Sequence, residues 1–193
     1  MNIRSFSNEG QDILAAKLVP HPGFFLDIGS GNPVYGNNSF ALELMGWKGL
    51  LVDGMEESIE RARRYRTNPA VLCDVTKVDW LALLAEVEAP SIIDFISMDT
   101  DAANTVLVQR FPFDKYQFKL MTFEHDRYQG DDSRKRACGE ALVPYPQYIK
   151  LLDNAKVQGL EWEDWYVNTR YISSDILAKR TASMDWQAFL NTL

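Results

Sequence analysis

The chain has 193 residues, 46% hydrophobic and 24% charged, with a formal net charge of −7. That size and balance suit one globular domain over 1–193, and the acidic surplus argues against nucleic acid or an anionic membrane as partner. Cys73 and Cys138 stand in no paired spacing, the N-terminus lacks a secretion-signal core, and no apolar run reaches membrane-spanning length, so a reduced cytoplasmic setting is expected.

In chain order, short apolar runs at 23–28, 49–53, 70–72, 92–98 and 118–123 read as strands. Between them, 39–45, 58–65 (with Ser58 as the expected N-cap), 80–87 and 105–110 carry apolar residues at helical spacing. This alternation predicts an α/β fold, a doubly wound and mostly parallel sheet, because parallel strands require crossover helices. After Asp126 a polar stretch is expected to be a loop or a mobile lid. It leads to a predicted helix at 146–157, two strands near 160–165 and 170–173, and a last helix around 185–193.

The strand ends share a feature. Asp27, Asp53, Asp74, Asp99 and Glu124 each close an apolar run or follow it within two residues. In a parallel sheet all carboxyl ends lie on one edge, where ligands of open α/β folds bind. The sequence therefore predicts a row of carboxylates around one crevice.

The first strand runs into a glycine-rich turn, FFLDIGSGNPVYGNNS, at 24–39. A dinucleotide fingerprint places a third glycine where this chain has Val34. A pyrophosphate also prefers amide donors to anionic neighbours. A ribose-bearing, cationic, phosphate-free cofactor suits an acid-rimmed site better, and S-adenosylmethionine is such a molecule. On this reading Gly29 and Gly31 let the backbone approach the ligand, Asp53 holds the ribose and Asp74 lies by the adenine. A nicotinamide-dependent oxidoreductase is the alternative.

The segments SNEGQDIL (7–14), FFLDIGSGN, the Asn38-Ser39 pair, LMGWKGLLVD (44–53), DFISMDTDAAN (94–104) and FEHD (123–126) occur in the order found in FkbM-like methyltransferases, which the chain resembles. The resemblance implies a class I methyltransferase fold, with a seven-stranded sheet ending in an antiparallel hairpin. It also implies S-adenosylmethionine as cofactor and methylation of a hydroxyl on a small molecule such as a sugar or polyketide. It adds Asp27, Ser30, Asn38, Ser39, Gly54 and Asp99 to the candidate cofactor-binding residues. Two departures stand out. Asp53-Gly54 replaces the family's Glu-Pro, and the 99–104 segment lacks its glycine, which leaves a non-catalytic relative as a further alternative.

An alcohol acceptor gains from a base that removes its proton as the new bond forms. His125, between Glu124 and Asp126, and Asp99 are the candidates. Asp99, Asp101, Glu124 and Asp126 are also of the type that binds Mg²⁺ or Ca²⁺; spacing alone assigns no metal. Arg61, Arg63, Arg64 and Arg66 read as a solvated helix face, and Trp47 as a packing residue.

Overall fold

The computed structural model describes residues 4–193. Its elements are α1 (Gln11–Leu18), β1 (Phe24–Ile28), α2 (Phe40–Leu44), β2 (Lys48–Asp53), α3 (Glu56–Tyr65), β3 (Ala70–Leu72), α4 (Trp80–Glu86), β4 (Ile92–Met98) and α5 (Asn104–Arg110). There follow β5 (Gln117–Glu124), α6 (Ser133–Leu142), β6 (Tyr148–Val157), β7 (Leu160–Asn168), α7 (Ser174–Leu177), β8 (Thr181–Asp185) and α8 (Trp186–Leu190).

The strands form one sheet in the order β3-β2-β1-β4-β5-β7-β6-β8. β1 pairs in parallel with β2 on one side and β4 on the other, so the strand order reverses beside β1. That reversal is where open α/β sheets leave a crevice at their carboxyl edge. The sheet turns antiparallel at β5–β7 and β7–β6. The β6–β7 turn places Gln158 and Gly159 at φ 51° and 83°, the two positive values a type I′ hairpin turn requires.

Each face of the sheet carries its own core, as alternation along the strands dictates. Leu26, Ile28, Leu50 and Val52 pack with Trp80 and Leu84 of α4, Leu107 of α5 and Cys138 of α6. Phe25, Leu51, Phe95 and Trp165 pack on the other face with Leu14 of α1, Leu42 of α2, Ile59 of α3 and Phe189 of α8. Trp47 is buried in this second core, as its sequence context suggested. Each fully buried aliphatic or aromatic side chain contributes about 1.5–3 kcal/mol. Among the described residues no helix is long and apolar enough to cross a membrane.

The first five strands and the helices between them lie within a few residues of the sequence reading; α3 opens at Glu56 with Met55 as its cap residue, rather than on Ser58. The C-terminal third differs more. The stretch 146–157, expected as a helix, contains β6. Its buried aliphatic and aromatic residues Tyr148, Leu151, Leu152 and Ala155 have helical spacing, but register shifts at Lys150/Leu152 and Leu152/Ala155 produce it. A β-bulge adds a residue to one strand and so breaks the two-residue period. The polar stretch after Asp126 is not all loop, since it contains α6, held by Ala137, Cys138 and Leu142. Residues 170–173 form a turn into α7 and not a strand. The last helix is confined to Trp186–Leu190, with the Asp185 side chain accepting from the Ala188 N–H as its cap. β8, unforeseen, pairs in parallel with β6 and brings the sheet to eight strands instead of seven.

Candidate active site

The turn after β1 is built around one close approach. Gly29, at φ 85°, donates its N–H to the Val52 carbonyl, and an added Cβ would stand 1.7 Å from the Asp99 carbonyl oxygen. Only glycine fits there. Gly31, at φ 53°, donates its N–H to Asp53 Oδ2 at 2.8 Å, and a Cβ there would meet a single atom, Gly29 O, at 3.9 Å. The first glycine allows strand packing; the second leaves open space.

That space belongs to a cleft of about 670 Å³ at the carboxyl ends of β1–β4. Gly29, Gly31, Asp53, Gly54, Asp74 and Asp99 all line it. Asp53 is 7% exposed, with Oδ1 accepting from the Met55 N–H at 2.8 Å and Oδ2 from Gly31. A carboxylate has about four lone-pair sites, so two remain for ligand hydroxyls. Asp74 accepts from the Thr76 N–H and Oγ and pairs with Lys77 at 2.7 Å. The Lys77 and Thr76 hydrogen bonds hold its carboxyl down to about 2, so it stays ionised.

Four sequence candidates lie behind the cleft instead. Asp27 is 1% exposed and accepts from Ser39 Oγ at 2.6 Å. Asn38 donates to Ser97 Oγ, and Ser30 spends its N–H on Val52 O. Together they fix the loop between β1 and α2. The clamp that closes it escaped the sequence reading. Arg66, expected on a solvated face, has a fully buried side chain, because the chain leaves α3 at that residue and turns it inward. Its guanidinium donates to Glu43 Oε2 (2.9 Å), Asn37 Oδ1 (3.0 Å), Ser39 Oγ (3.0 Å) and Pro33 O (3.2 Å). Burial raises the Asp27 carboxyl, and Ser39, Arg66 and Asn37 oppose that rise.

The sequence reading also missed the apolar wall. Met55, Leu72 and Val75 line the cleft, and Met55 and Leu72 are 64% and 42% exposed. The available signal was an apolar residue within two positions of the strand-end acids Asp53 and Asp74.

At the far end of the cleft the acids converge. Burial, opposed by a hydrogen bond with Glu124 and reinforced by Asp27, Asp101 and Asp126, raises Asp99 to about 6. Burial and Asp99 push Glu124 to about 10. Two carboxyls this close share a proton and titrate as a pair. Asn104 closes the turn beside them, accepting from Thr100 and donating to the Met98 and Glu124 carbonyls. The left-handed residue of this segment is Asp101, at φ 50°. Glu163 of β7 is buried nearby and raised well above the ordinary range by burial, then by the charge of Glu9.

His125 does not reach the cleft. It is fully buried, its Nδ1 accepts from the Arg127 N–H at 3.2 Å, and its Nε2 lies 3.3 Å from Asp164 Oδ1. Asp164 also pairs with Lys135 at 2.6 Å and Lys150 at 2.8 Å. Burial opposes it, but His125 and the two ammonium groups hold the Asp164 carboxyl well below the usual range. Both imidazole nitrogens therefore have protein partners.

No protein-family model and no curated protein matches the chain. Solved structures do. The O-methyltransferase from Bacillus cereus, solved in complex with SAH, is 15% identical, with a TM-score of 0.61 over 86% of this chain and 84% of that one. The TehB-like SAM-dependent methyltransferase from Corynebacterium glutamicum is 15% identical, with a TM-score of 0.56 over 84% and 89%. The fold is that of class I S-adenosylmethionine-dependent methyltransferases. The 1,6-didemethyltoxoflavin-N1-methyltransferase of Burkholderia thailandensis is also similar, at 16% identity and a TM-score of 0.50 over 82% and 76%. Class I methyltransferase neighbours thus include oxygen and nitrogen methylators, and likeness at this level speaks to fold and not to acceptor.

The residues of the cleft fit the S-adenosyl group. Asp53 keeps acceptor capacity for ribose hydroxyls, Met55, Leu72 and Val75 offer apolar faces to an adenine, and Gly31 leaves room for the ligand beside the backbone. The surplus of carboxylates suits a cationic ligand.

Proposed function

We propose that the chain is an S-adenosylmethionine-dependent methyltransferase of the FkbM-like branch, acting on a hydroxyl of a small-molecule acceptor. The observation that carries this reading is the Gly31–Asp53 contact. It sets an ionisable carboxylate with free lone pairs across a glycine turn that fails the dinucleotide fingerprint. The order of the family-like segments from Ser7 to Asp126 supports the branch. Solved neighbours that include O-methyltransferases support the reaction class.

When bound, the cofactor supplies a methyl group on a sulfonium, a leaving group that needs no protonation. The chain's part is then to bind, orient and take up one proton. Asp53 and the apolar wall fix the nucleoside. Asp99, on the cleft and paired with Glu124, would take up the proton that the acceptor's hydroxyl loses on methylation. His125 holds the β5 end in place through Asp164 and the Arg127 amide.

The test is calorimetry with S-adenosylhomocysteine (SAH) and with NAD(H) on the same protein. SAH is expected to bind and NAD(H) not to. Binding of NAD(H) without SAH would overturn the reading in favour of an oxidoreductase.

A further inference from the structure

We propose that Asp101, Glu124 and Asp126 form a binding site for one divalent oxygen-seeking cation, such as Mg²⁺ or Mn²⁺, at the acceptor end of the cleft. One carboxylate oxygen from each lies within 4.8 Å of the others. Oxygens bound to a common hard cation at about 2.0–2.6 Å are separated by no more than about twice that distance, so the three can share an ion.

A second observation points to a ligand. Asp126 is 3% exposed, and its two oxygens differ. Oδ2 accepts from Arg134 at 3.0 Å and Gln129 at 3.1 Å, whereas Oδ1 is buried with no hydrogen-bond partner among the described residues. Glu124 Oε2 is likewise buried, 3.8 Å from the Arg134 guanidinium. Buried carboxyl oxygens are normally hydrogen-bonded, paired or bound to metal. Arg134, committed to Oδ2, leaves Asp126 Oδ1 unsatisfied.

The site is held by its scaffold. The His125 and Asp126 N–H groups both donate to the Trp162 carbonyl at 2.9 Å, which anchors the end of β5 to β7. Asp101 belongs both to the carboxylate cluster and to the cleft wall, so an ion there faces the ligand space. Such an ion keeps coordination positions for an acceptor oxygen and favours its deprotonated form. Its role in turnover rests on the methyl-transfer reading; its binding does not.

The test is a titration of chelator-treated protein with Mn²⁺, without cofactor or acceptor, following loss of the free-ion paramagnetic resonance signal. One ion per chain is expected. Asp101→Asn, at an exposed position, and Asp126→Asn should each weaken binding by about tenfold or more, as loss of an oxygen ligand implies. Absence of stoichiometric Mn²⁺ binding, or binding unchanged in both variants, overturns the site. SAH calorimetry on the same preparation separates the two proposals. SAH binding without Mn²⁺ removes the ion and leaves the transferase, and Mn²⁺ binding without SAH does the reverse.

Discussion

The Gly31 N–H donates to Asp53 Oδ2 at 2.8 Å, so the turn after β1 and the end of β2 hold each other in place across the cleft. The same carboxylate is the proposed ribose acceptor. Asp53→Ala should therefore lose charge-assisted hydrogen bonds to the ligand, about 1.5–3 kcal/mol of SAH binding free energy. Calorimetry measures this directly. Unchanged affinity would move the ribose elsewhere.

Gly29 and Gly31 should respond differently to alanine. At Gly29 the new Cβ meets backbone at 1.7 Å, and the strand cannot yield without opening the β1–β4 junction. The loss should exceed the roughly 1–3 kcal/mol of ordinary overpacking. At Gly31 there is room, so only the left-handed strain of about 1–2 kcal/mol applies. Urea unfolding and SAH titration together should show Gly29→Ala losing the fold and Gly31→Ala losing mainly the ligand. Equal destabilisation would contradict this division.

Arg66 is the buried counter-charge of the β1–α2 loop. Replacing it by methionine keeps the stem but strands Glu43 and leaves Asp27 without its cation. Burial opposes ionisation of Glu43, yet hydrogen bonds from Thr67 and Asn68, with Arg66, hold its carboxyl below the ordinary value. Removing one partner of a buried pair costs about 3–5 kcal/mol. The urea midpoint of Arg66→Met should fall accordingly, with SAH affinity falling as the loop loosens. A loss of less than about 1 kcal/mol, the range of surface pairs, would show the clamp to be dispensable.

How far the sequence foretold this depends on which force set the local pattern. β1, β2 and β4 were legible because strands buried on both faces read as continuous apolar runs. The cleft acids were legible because a parallel sheet sends every strand end to one edge. β6 was misread because bulges gave Tyr148, Leu151, Leu152 and Ala155 a helical period. α6 was missed because its buried stripe is only three residues in a basic, polar segment. Arg66 looked like its solvated neighbours Arg63 and Arg64; its inward turn depends on where α3 ends, which is a tertiary fact. Asp27 and His125 share the strand-end position of Asp53 and Asp99, and only side-chain direction separates them from the cleft.

Glu163 gives a stability prediction with a definite sign. Its folded-state value is raised, so the folded chain binds more protons than the unfolded one above the ordinary glutamate range. The group's contribution is therefore intact at low pH and is lost as pH rises above the ordinary glutamate value toward the raised folded one. Glu163→Gln keeps an acceptor for the Trp165 indole N–H and removes the charge. Urea midpoints at pH 5 and pH 8 should show the variant gaining on the parent as pH rises. A difference independent of pH would mean that Glu163 is ionised in the fold at little cost.

The proton acceptor can be decided between Asp99 and His125. Asp99 lies on the cleft, and His125 has both ring nitrogens engaged by protein. A base must be deprotonated to act, so parent turnover should be lost as pH falls through the first ionisation of the Asp99–Glu124 pair, with Asp99 at about 6. Asp99→Asn keeps the shape and a hydrogen-bonding group but removes the basic oxygen. It should lower turnover by about 10²–10⁴-fold, the usual range for a positioned acid–base group. SAH affinity should change far less. His125→Gln should lower the melting temperature, because Asp164 and the Arg127 amide lose their shared partner, while turnover per folded molecule stays close to the parent's. The measurement needs an acceptor, found by screening sugars, polyketides and phenols with labelled cofactor. If Asp99→Asn then turns over at the parent rate and His125→Gln does not, proton removal belongs to His125, and the buried ring must open toward the cleft during turnover.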